Sequence, residues 1–344
     1  MEEIGDKLLL CSLCPNMCRF ACPMEEAAGT ESSSPQGKAR TSLLLLRGEL
    51  PRTEENTRPP YQCLDCQACR RFCPFDFDLS LLYHPARVQA VEKGIPPPEV
   101  RSRLSRLREH GNPFGEERKR RVVGEGRLAY LPGCTAELRE REVPSSTLRL
   151  LERAGLKAVL LEGYCCGLPA FRAGDERGAE ELRGEVREAL RSSGAETLLL
   201  SCPGCFEFLS EGLEGVEVVH ASAFFLKLVE EGRLSLPRLS GRVTYHDPCS
   251  LGRKKGLFDP PRRLLRELGL EVVEPPKTRE DAVCCGGGNP LEEARQISRR
   301  RAEELGRTGA EFAVTACPTC KWALGREGLR ILDLSQVLDG RVSA

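Results

Sequence analysis

Short apolar runs alternate with amphipathic segments through the chain after residue 127. Runs such as LAYL, AVLL and TLLL are followed by stretches whose apolar residues recur every three or four positions, such as STLRLLERAG and AEELRGEVREALRSSG. Apolar runs of this length predict buried strands, and the longer period predicts helices that cover a sheet. Because strands that alternate with helices pair in parallel, the pattern predicts an α/β architecture.

This order of segments occurs twice. The motifs LPGC, YCCG and SCPGC of the first unit return in the second unit as YHDPC, VCCGGG and ACPTC. Equivalent cysteines, such as Cys134 and Cys249, lie 115 to 119 positions apart. A repeat at a fixed period indicates a duplicated structural unit. The sequence therefore predicts two copies of one parallel-sheet domain.

Each copy carries five cysteines, which the pattern places after strands, at the sheet edge where α/β proteins bind ligands. A single zinc ion takes four thiolates and remains the alternative, but five thiolates, two of them adjacent, favour a cluster of several irons. The first set is Cys134, Cys165, Cys166, Cys202 and Cys205, and the second set is Cys249, Cys284, Cys285, Cys317 and Cys320.

Two further cysteine motifs precede the duplicated units. YQCLDCQACRRFCP has the C-x2-C-x2-C-x3-C-P spacing of bacterial ferredoxins, and CSLCPNMCRFACP is one residue longer between its second and third cysteines. In two-cluster ferredoxins the fourth cysteine of each motif serves the other cluster. We therefore expect one cubane [4Fe-4S] cluster on Cys11, Cys14, Cys18 and Cys73, and another on Cys63, Cys66, Cys69 and Cys22.

Composition and charge exclude several classes of protein. The 344 residues include 18 cysteines, too many for a chain that only buries thiols as small apolar groups. Basic and acidic residues number 51 each, and aromatic residues make up 5%, so a nucleic-acid surface is not expected. The start MEEIGDKLLLC does not resemble a signal peptide, and no apolar run approaches the ~20 residues of a membrane span. We expect a soluble cytoplasmic protein whose reduced thiols bind metal rather than form disulfides.

These motifs resemble a known family. CCG followed by CPxC, twice, with YHDPC opening the second unit, is similar to the cysteine-rich CCG domains of heterodisulfide reductase and of the iron–sulfur subunits of glycolate, lactate and glycerol phosphate oxidoreductases. Helical segments such as GKARTSLLLLRGEL, between and after the ferredoxin motifs, resemble the α-helical ferredoxin domain of those relatives. The resemblance implies a helical ferredoxin-like domain joined to two Rossmann-like CCG domains. We place these at residues 1–93 (ferredoxin), 94–126 (linker), 127–232 (first CCG domain) and 241–344 (second CCG domain).

The resemblance also implies a function. In heterodisulfide reductases each five-cysteine set holds a non-cubane [4Fe-4S] cluster, so the chain would pass electrons between two ferredoxin clusters and two CCG clusters for disulfide and thiol chemistry. It would work with a redox partner subunit, a flavoprotein or a membrane-anchored electron carrier, and reduce a small-molecule disulfide. The alternatives are an electron-transfer subunit of a flavoprotein dehydrogenase and a zinc-binding scaffold. We expect no flavin or nucleotide on this chain, because no such fingerprint is present.

Residues near the second five-cysteine set have two interpretations each. His246 forms no ligand spacing with another histidine, so we expect it to hydrogen-bond near the thiolates rather than to bind metal. Arg253, Lys254 and Lys255 either offset charge near the site or begin an exposed helix. Ser250 stands where many relatives have a histidine, so the sequence assigns no proton donor there, and it identifies no catalytic residue.

Overall fold

The computed structural model describes residues 2–342, in which six helices precede two α/β units. Residues 1 and 343–344, at the outer limits of the first and last predicted domains, lie outside this range. The polar cap of Ser34, whose hydroxyl accepts from the Gly37 amide at 3.0 Å, begins the third helix. The helices are α1 (Glu2–Leu13), α2 (Pro23–Ala28), α3 (Pro35–Arg47), α4 (Glu54–Tyr61), α5 (Leu79–Glu92) and α6 (Pro98–His110).

The first α/β unit is built on a five-stranded sheet. Its strand order is β1-β3-β2-β4-β5, in which β1 runs antiparallel to β3 and the other neighbours are parallel. The strands are β1 (Arg121–Val123), β2 (Leu128–Leu131), β3 (Val159–Glu162), β4 (Thr197–Leu200) and β5 (Glu217–His220). The helices are α7 (Cys134–Arg139), α8 (Glu142–Arg153), α9 (Leu168–Ala173), α10 (Glu176–Ser193), α11 (Pro203–Leu209) and α12 (Ala221–Glu230).

The second unit repeats this arrangement. Its four parallel strands follow the order β7-β6-β8-β9, which matches β3-β2-β4-β5, so the predicted duplication and parallel pairing are confirmed. The strands are β6 (Arg242–His246), β7 (Glu271–Val273), β8 (Phe312–Thr315) and β9 (Ile331–Asp333). The helices are α13 (Gly252–Lys255), α14 (Asp259–Glu267), α15 (Glu293–Gly306), α16 (Pro318–Gly325) and α17 (Leu334–Leu338).

One apolar core joins the two units. Tyr130, Leu150 and Phe225 from the first unit pack in the same cluster as Tyr245 and Leu264 from the second. Helix α8 packs on α17, and the equivalent helix α14 packs on α12, so this contact between the units occurs in both directions. This reciprocity is what a pseudo-twofold axis between duplicated units produces. The two carboxyl sheet edges are therefore held in a fixed relation.

The segment assigned to a linker packs against its neighbours on both sides. Helix α6 buries Val100, Leu104 and Leu107 against α4 and the first unit, and β1 extends the first sheet. The exact domain boundaries stay a prediction.

The helical region is tied to both units by buried polar contacts. The Tyr61 hydroxyl at the end of α4 donates to the carbonyls of Arg87 and Ala173, at 3.1 and 3.0 Å. The Arg87 guanidinium, 2% exposed, donates to the Arg172 carbonyl at 2.9 Å and pairs with Asp65 at 3.0 Å. These contacts fix the predicted ferredoxin motifs beside the carboxyl edges of the sheets.

We expect the two α/β units to unfold together. Leu264→Ala removes a fully buried side chain of the shared core, which costs about 2–5 kcal/mol. Hydrogen exchange should therefore accelerate in strands β2 and β4 of the first unit as well as in β6 and β8. Leu81→Ala, at a position 55% exposed, is the control and should leave both sheets unchanged. Acceleration confined to the second unit would show that the units fold independently.

Candidate metal centres and the cavity between them

The two ferredoxin motifs adopt the same local structure. In each, a residue with positive φ (Asn16, 60°; Gln67, 58°) precedes the third cysteine by two positions. A single 3-10 turn follows that cysteine, and the fourth cysteine lies in extended backbone. The extra residue of the first motif is therefore accommodated before Asn16, and the second halves of the two motifs match.

The structure brings the first predicted ferredoxin set together. Burial raises the pKa of the Cys11 thiol to about 12, and the neighbouring thiols of Cys18, Cys14 and Cys73 add to that rise. Cys73 is thus close to the first motif although it belongs to the second. This proximity supports the exchange of fourth cysteines, which stays a prediction.

The second predicted set is also assembled. Cys69 has Cys63, Cys66 and Cys22 as neighbours, and burial together with their like charge raises its pKa. The Lys38 ammonium, in α3 and 1% exposed, lies 3.3 Å from Cys22 Sγ. Sequence reasoning missed Lys38, because nothing local distinguishes it from other helical lysines. A buried cation beside thiolates offsets their charge.

The five cysteines of the first CCG set form one continuous group of thiols. Cys134 lies beside Cys165, Cys165 beside Cys166, Cys166 beside Cys205 and Cys205 beside Cys202. Cys134 begins α7 after β2, and Cys202 caps α11 after β4, as expected for the carboxyl edge of the sheet.

The second set has the same connectivity. Cys249 lies beside Cys284, Cys284 beside Cys285, and Cys320 beside both Cys285 and Cys317, with Cys285 and Cys320 Sγ atoms 3.2 Å apart. Strand β7 ends at Val273, so the expectation that cysteines directly follow strands is wrong for Cys284 and Cys285. A loop containing one 3-10 turn delivers them instead.

The donor chemistry and the space around the thiols fit iron–sulfur clusters. Each five-cysteine set offers soft thiol ligands with no carboxylate among them, the donor type of iron–sulfur sites. A Cβ at Gly133 would lie 3.2 Å from Cys205 Sγ, so a larger residue would enter the space beside the thiols. Gly167 and Gly286, in the two CCG motifs, allow helices α10 and α15 to approach, since a Cβ there would lie within 2.4 Å of a helix carbonyl.

The four thiol groups follow one another in a row. Cys18 of the first ferredoxin set is a neighbour of Cys69 in the second. Cys66 of the second set lies beside Cys284 of the second unit, and Cys317 of that unit lies beside Cys202 of the first. The order in space is therefore first ferredoxin set, second ferredoxin set, second CCG set and first CCG set.

A cavity of about 210 Å³ lies between the two CCG sets. Apolar side chains such as Leu64, Leu168, Phe114 and Trp322 form part of its wall. Nine of the ten CCG cysteines line it, namely Cys134, Cys166, Cys202, Cys205, Cys249, Cys284, Cys285, Cys317 and Cys320. A small molecule in this space would contact thiols of both units.

Two arginines that sequence reasoning missed also line the cavity. Arg103 of α6 donates to the Gly288 carbonyl at 2.7 Å, and burial lowers its pKa to about 10. Arg172 of α9 pairs with Glu207 at 2.9 Å. Burial opposes the charge of Arg172, yet the carboxylates of Glu207 and Asp65 hold its pKa above the usual value. Arg103 is distant in sequence from the cysteine motifs, whereas Arg172 lies six positions after Cys166.

The structure decides between the two interpretations of Arg253. Its guanidinium donates to the Cys66 carbonyl at 2.7 Å and to the Ala282 carbonyl at 2.6 Å, so it joins the ferredoxin motif to the second unit. Its charge lies near the thiols of Cys66, Cys249 and Cys284. Lys254 pairs with Glu207 at 2.5 Å, and Lys255 with Glu211 at 2.9 Å.

Both the helical region and the two α/β units match known protein families. The 4Fe-4S dicluster domain family matches residues 7–77, and the cysteine-rich domain family matches residues 128–210 and again 243–325. These matches support iron–sulfur clusters rather than zinc in the chain. Among the helices of residues 2–342, none has the length and apolar character needed to cross a membrane.

Several curated proteins are similar along most of the chain. A dihydromethanophenazine:CoB–CoM heterodisulfide reductase subunit of Methanosarcina mazei is 30% identical over 82% of this chain and 77% of its own length. The EtfAB:quinone oxidoreductase of Syntrophomonas wolfei is 29% identical over 81% of this chain and 46% of its own. A fumarate reductase (CoM/CoB) subunit of Methanothermobacter marburgensis is 29% identical over 81% and 61%.

A solved structure of a hypothetical protein from Helicobacter pylori superposes with a TM-score of 0.60 at 10% identity, over 90% of this chain and 68% of that one, and shows the fold alone. The paired domain matches and the 30% identity to the Methanosarcina mazei protein establish the family. The chain belongs to the heterodisulfide reductase family of iron–sulfur oxidoreductase subunits, in which a ferredoxin domain is joined to two cysteine-rich domains.

Proposed function

We propose that this chain reduces a small-molecule disulfide bound between its two CCG sites. The observation that carries this proposal is the cavity lined by thiols of both five-cysteine sets. The alternative is an electron-transfer subunit for a flavoprotein dehydrogenase, in which this space would hold the clusters alone.

The proposed ligands are the thiol groups described above. Two cubane clusters would use the ferredoxin sets with exchanged fourth cysteines, and two non-cubane clusters would use the five-cysteine sets. When bound, such clusters accept and release single electrons. The protein's own contribution is to hold the four sets in a row and to place Lys38 and Arg253 beside them as fixed positive charges.

The reaction balances as a two-electron reduction. The S–S bond of the substrate breaks, each sulfur takes one electron and one proton, and two thiols leave. The electrons come from a reduced partner subunit and the protons from solvent. Arg103 and Arg172 line the cavity, so we infer that the substrate carries an acidic group, which guanidinium groups bind well.

We expect Arg103→Gln to weaken selection for acidic disulfides. With reduced methyl viologen as donor, kcat/KM for 3,3′-dithiodipropionate should fall at least tenfold, mostly through KM, because the charged donor is lost. Reduction of neutral bis(2-hydroxyethyl) disulfide should stay within twofold of wild type. Dye oxidation measured optically gives both values.

Arg101→Gln is the matched control, since Arg101 lies on the same helix but pairs with Glu54 away from the cavity. Protein with a full iron content that reduces neither disulfide would overturn the proposal and favour the electron-transfer alternative.

The first ferredoxin set is the proposed contact point for the partner. It ends the row of thiol groups, and exposed apolar side chains stand beside its cysteines: Leu13 (74% exposed), Met17 (58%), Phe20 (69%) and Phe75 (47%). Apolar patches of this kind mark protein interfaces. We propose that a redox subunit, a flavoprotein or a membrane-anchored carrier, covers this patch with an apolar face. The chain would then be cytoplasmic and reach the membrane only through that partner.

Phe20→Glu should uncouple this partner without damaging the chain. In the complex isolated from its host, electron transfer from the partner should fall at least tenfold, because a carboxylate at the interface must be desolvated. Reduction by methyl viologen should be unchanged. Leu81→Glu, an exposed leucine outside the patch, is the control. Equal rates in Phe20→Glu and wild type would place the partner elsewhere.

A further inference from the structure

The internal duplication allows each residue around one CCG site to be compared with its counterpart at the other. Leu131 and His246 occupy equivalent places. Each precedes the first cysteine of its set by three positions and is the last residue of its strand. Leu131 pairs with Leu200 in β4, and His246 pairs with Thr315 in β8. The chain therefore has an aliphatic side chain at one site and an imidazole at the other.

A second difference between the two CCG sites accompanies the difference between Leu131 and His246. Gly167 lies close to the Ala179 carbonyl, and Gly286 lies close to the Ala294 carbonyl. Ala179 and Ala294 are therefore equivalent positions on α10 and α15. Seven residues further along, α10 carries Val186 and α15 carries Arg301. Both positions are fully buried. The pair Leu131 and Val186 in the first unit thus corresponds to the pair His246 and Arg301 in the second.

The two pairs contact equivalent cysteines. Leu131 and Val186 pack in one apolar cluster with Cys166 and Cys205. In the second unit the His246 imidazole lies within 4.8 Å of the Sγ atoms of Cys285 and Cys320, the counterparts of those cysteines. Only the second site therefore has a nitrogen donor at this position.

Arg301 determines which imidazole nitrogen carries the proton. Its Nε donates to His246 Nδ1 at 3.2 Å, which requires an unprotonated Nδ1 and leaves the proton on Nε2. His246 Nε2 is buried and has no hydrogen-bond partner among the described residues. Arg301 is itself held by Glu304 at 2.7 Å and by the Lys277 carbonyl at 3.0 Å. The imidazole N–H is therefore left available beside the thiols of Cys285 and Cys320.

We propose that His246, positioned by Arg301, makes the second CCG site a better electron acceptor than the first. An N–H···S hydrogen bond stabilises the extra negative charge of a reduced site, so it raises the reduction potential. The site nearest the ferredoxin motifs then holds its electron more tightly than the site beyond it. This inference rests on the proposed ligand sets.

The test is a redox titration of the anaerobically purified full chain, followed by electron paramagnetic resonance. The signal lost in Cys285→Ser identifies the second CCG site. In His246→Leu its potential should fall by at least the 59 mV that equals a tenfold shift in a one-electron equilibrium. The signal of the first CCG site should keep its potential.

Three further variants make the result specific. His246→Leu with Arg301→Val reproduces the pair that the first unit already packs, so it should show the same fall even if the single variant is unstable. His246→Gln keeps an N–H donor at similar reach and should retain most of the wild-type potential. His84→Leu is the control, since His84 bonds to Glu176 and stacks on Phe171.

Unchanged potentials in His246→Leu and in the double variant would overturn the inference while leaving the proposed function intact. Loss of iron from His246→Leu would make His246 a ligand and would also overturn it. A wild-type chain without iron in the second unit would instead contradict the proposed ligand sets themselves.

Discussion

Eighteen thiols can be held close together in one chain only if their mutual repulsion and their desolvation are offset. Burial and like charge raise the pKa of Cys11 and Cys69, so these two metal-free thiols resist ionisation where they stand. Metal binding reverses this balance, because a cluster requires deprotonated thiolates and supplies the compensating positive charge. The fold contributes further positive charge through buried cations, such as Lys38 beside Cys22 and Arg253 beside Cys66. The rest of the architecture keeps these charges and thiols in fixed positions.

The duplication explains how the sites come to face each other. In each α/β unit the turns from strand to helix carry cysteines at the carboxyl edge of the sheet. The shared core around Tyr130 and Tyr245 relates the two edges by a pseudo-twofold axis. Cys202 and Cys317, the equivalent first cysteines of the two CPxC motifs, therefore meet across that axis. A single unit would have one thiol group at an open edge, whereas two units enclose a cavity between them.

The cysteine sets could be predicted from the sequence because their information is local. Ferredoxin spacing, the CCG and CPxC motifs and the repeat period each specify a group of ligands without reference to the rest of the fold. Arg103 and Lys38 could not be predicted, since each reaches its site from a helix outside the cysteine motifs, and only packing brings it there. Arg172 lies six positions after Cys166, but no local pattern indicates that its side chain lines the cavity. The loop that carries Cys284 was missed for a different reason: an apolar run before a cysteine predicts a strand, but β7 ends eleven positions earlier. The packing of α6 was missed because its buried residues, such as Leu104, are few among many charged ones.

The central claim is that four separate thiol groups of this one chain each hold a four-iron cluster. Iron analysis of the anaerobically purified protein, paired with electron paramagnetic resonance of Cys285→Ser, tests it most directly. We expect about sixteen irons per chain and about twelve in the variant, with both ferredoxin signals unchanged. About eight irons in the wild type, with zinc or no metal in the duplicated units, would contradict the claim.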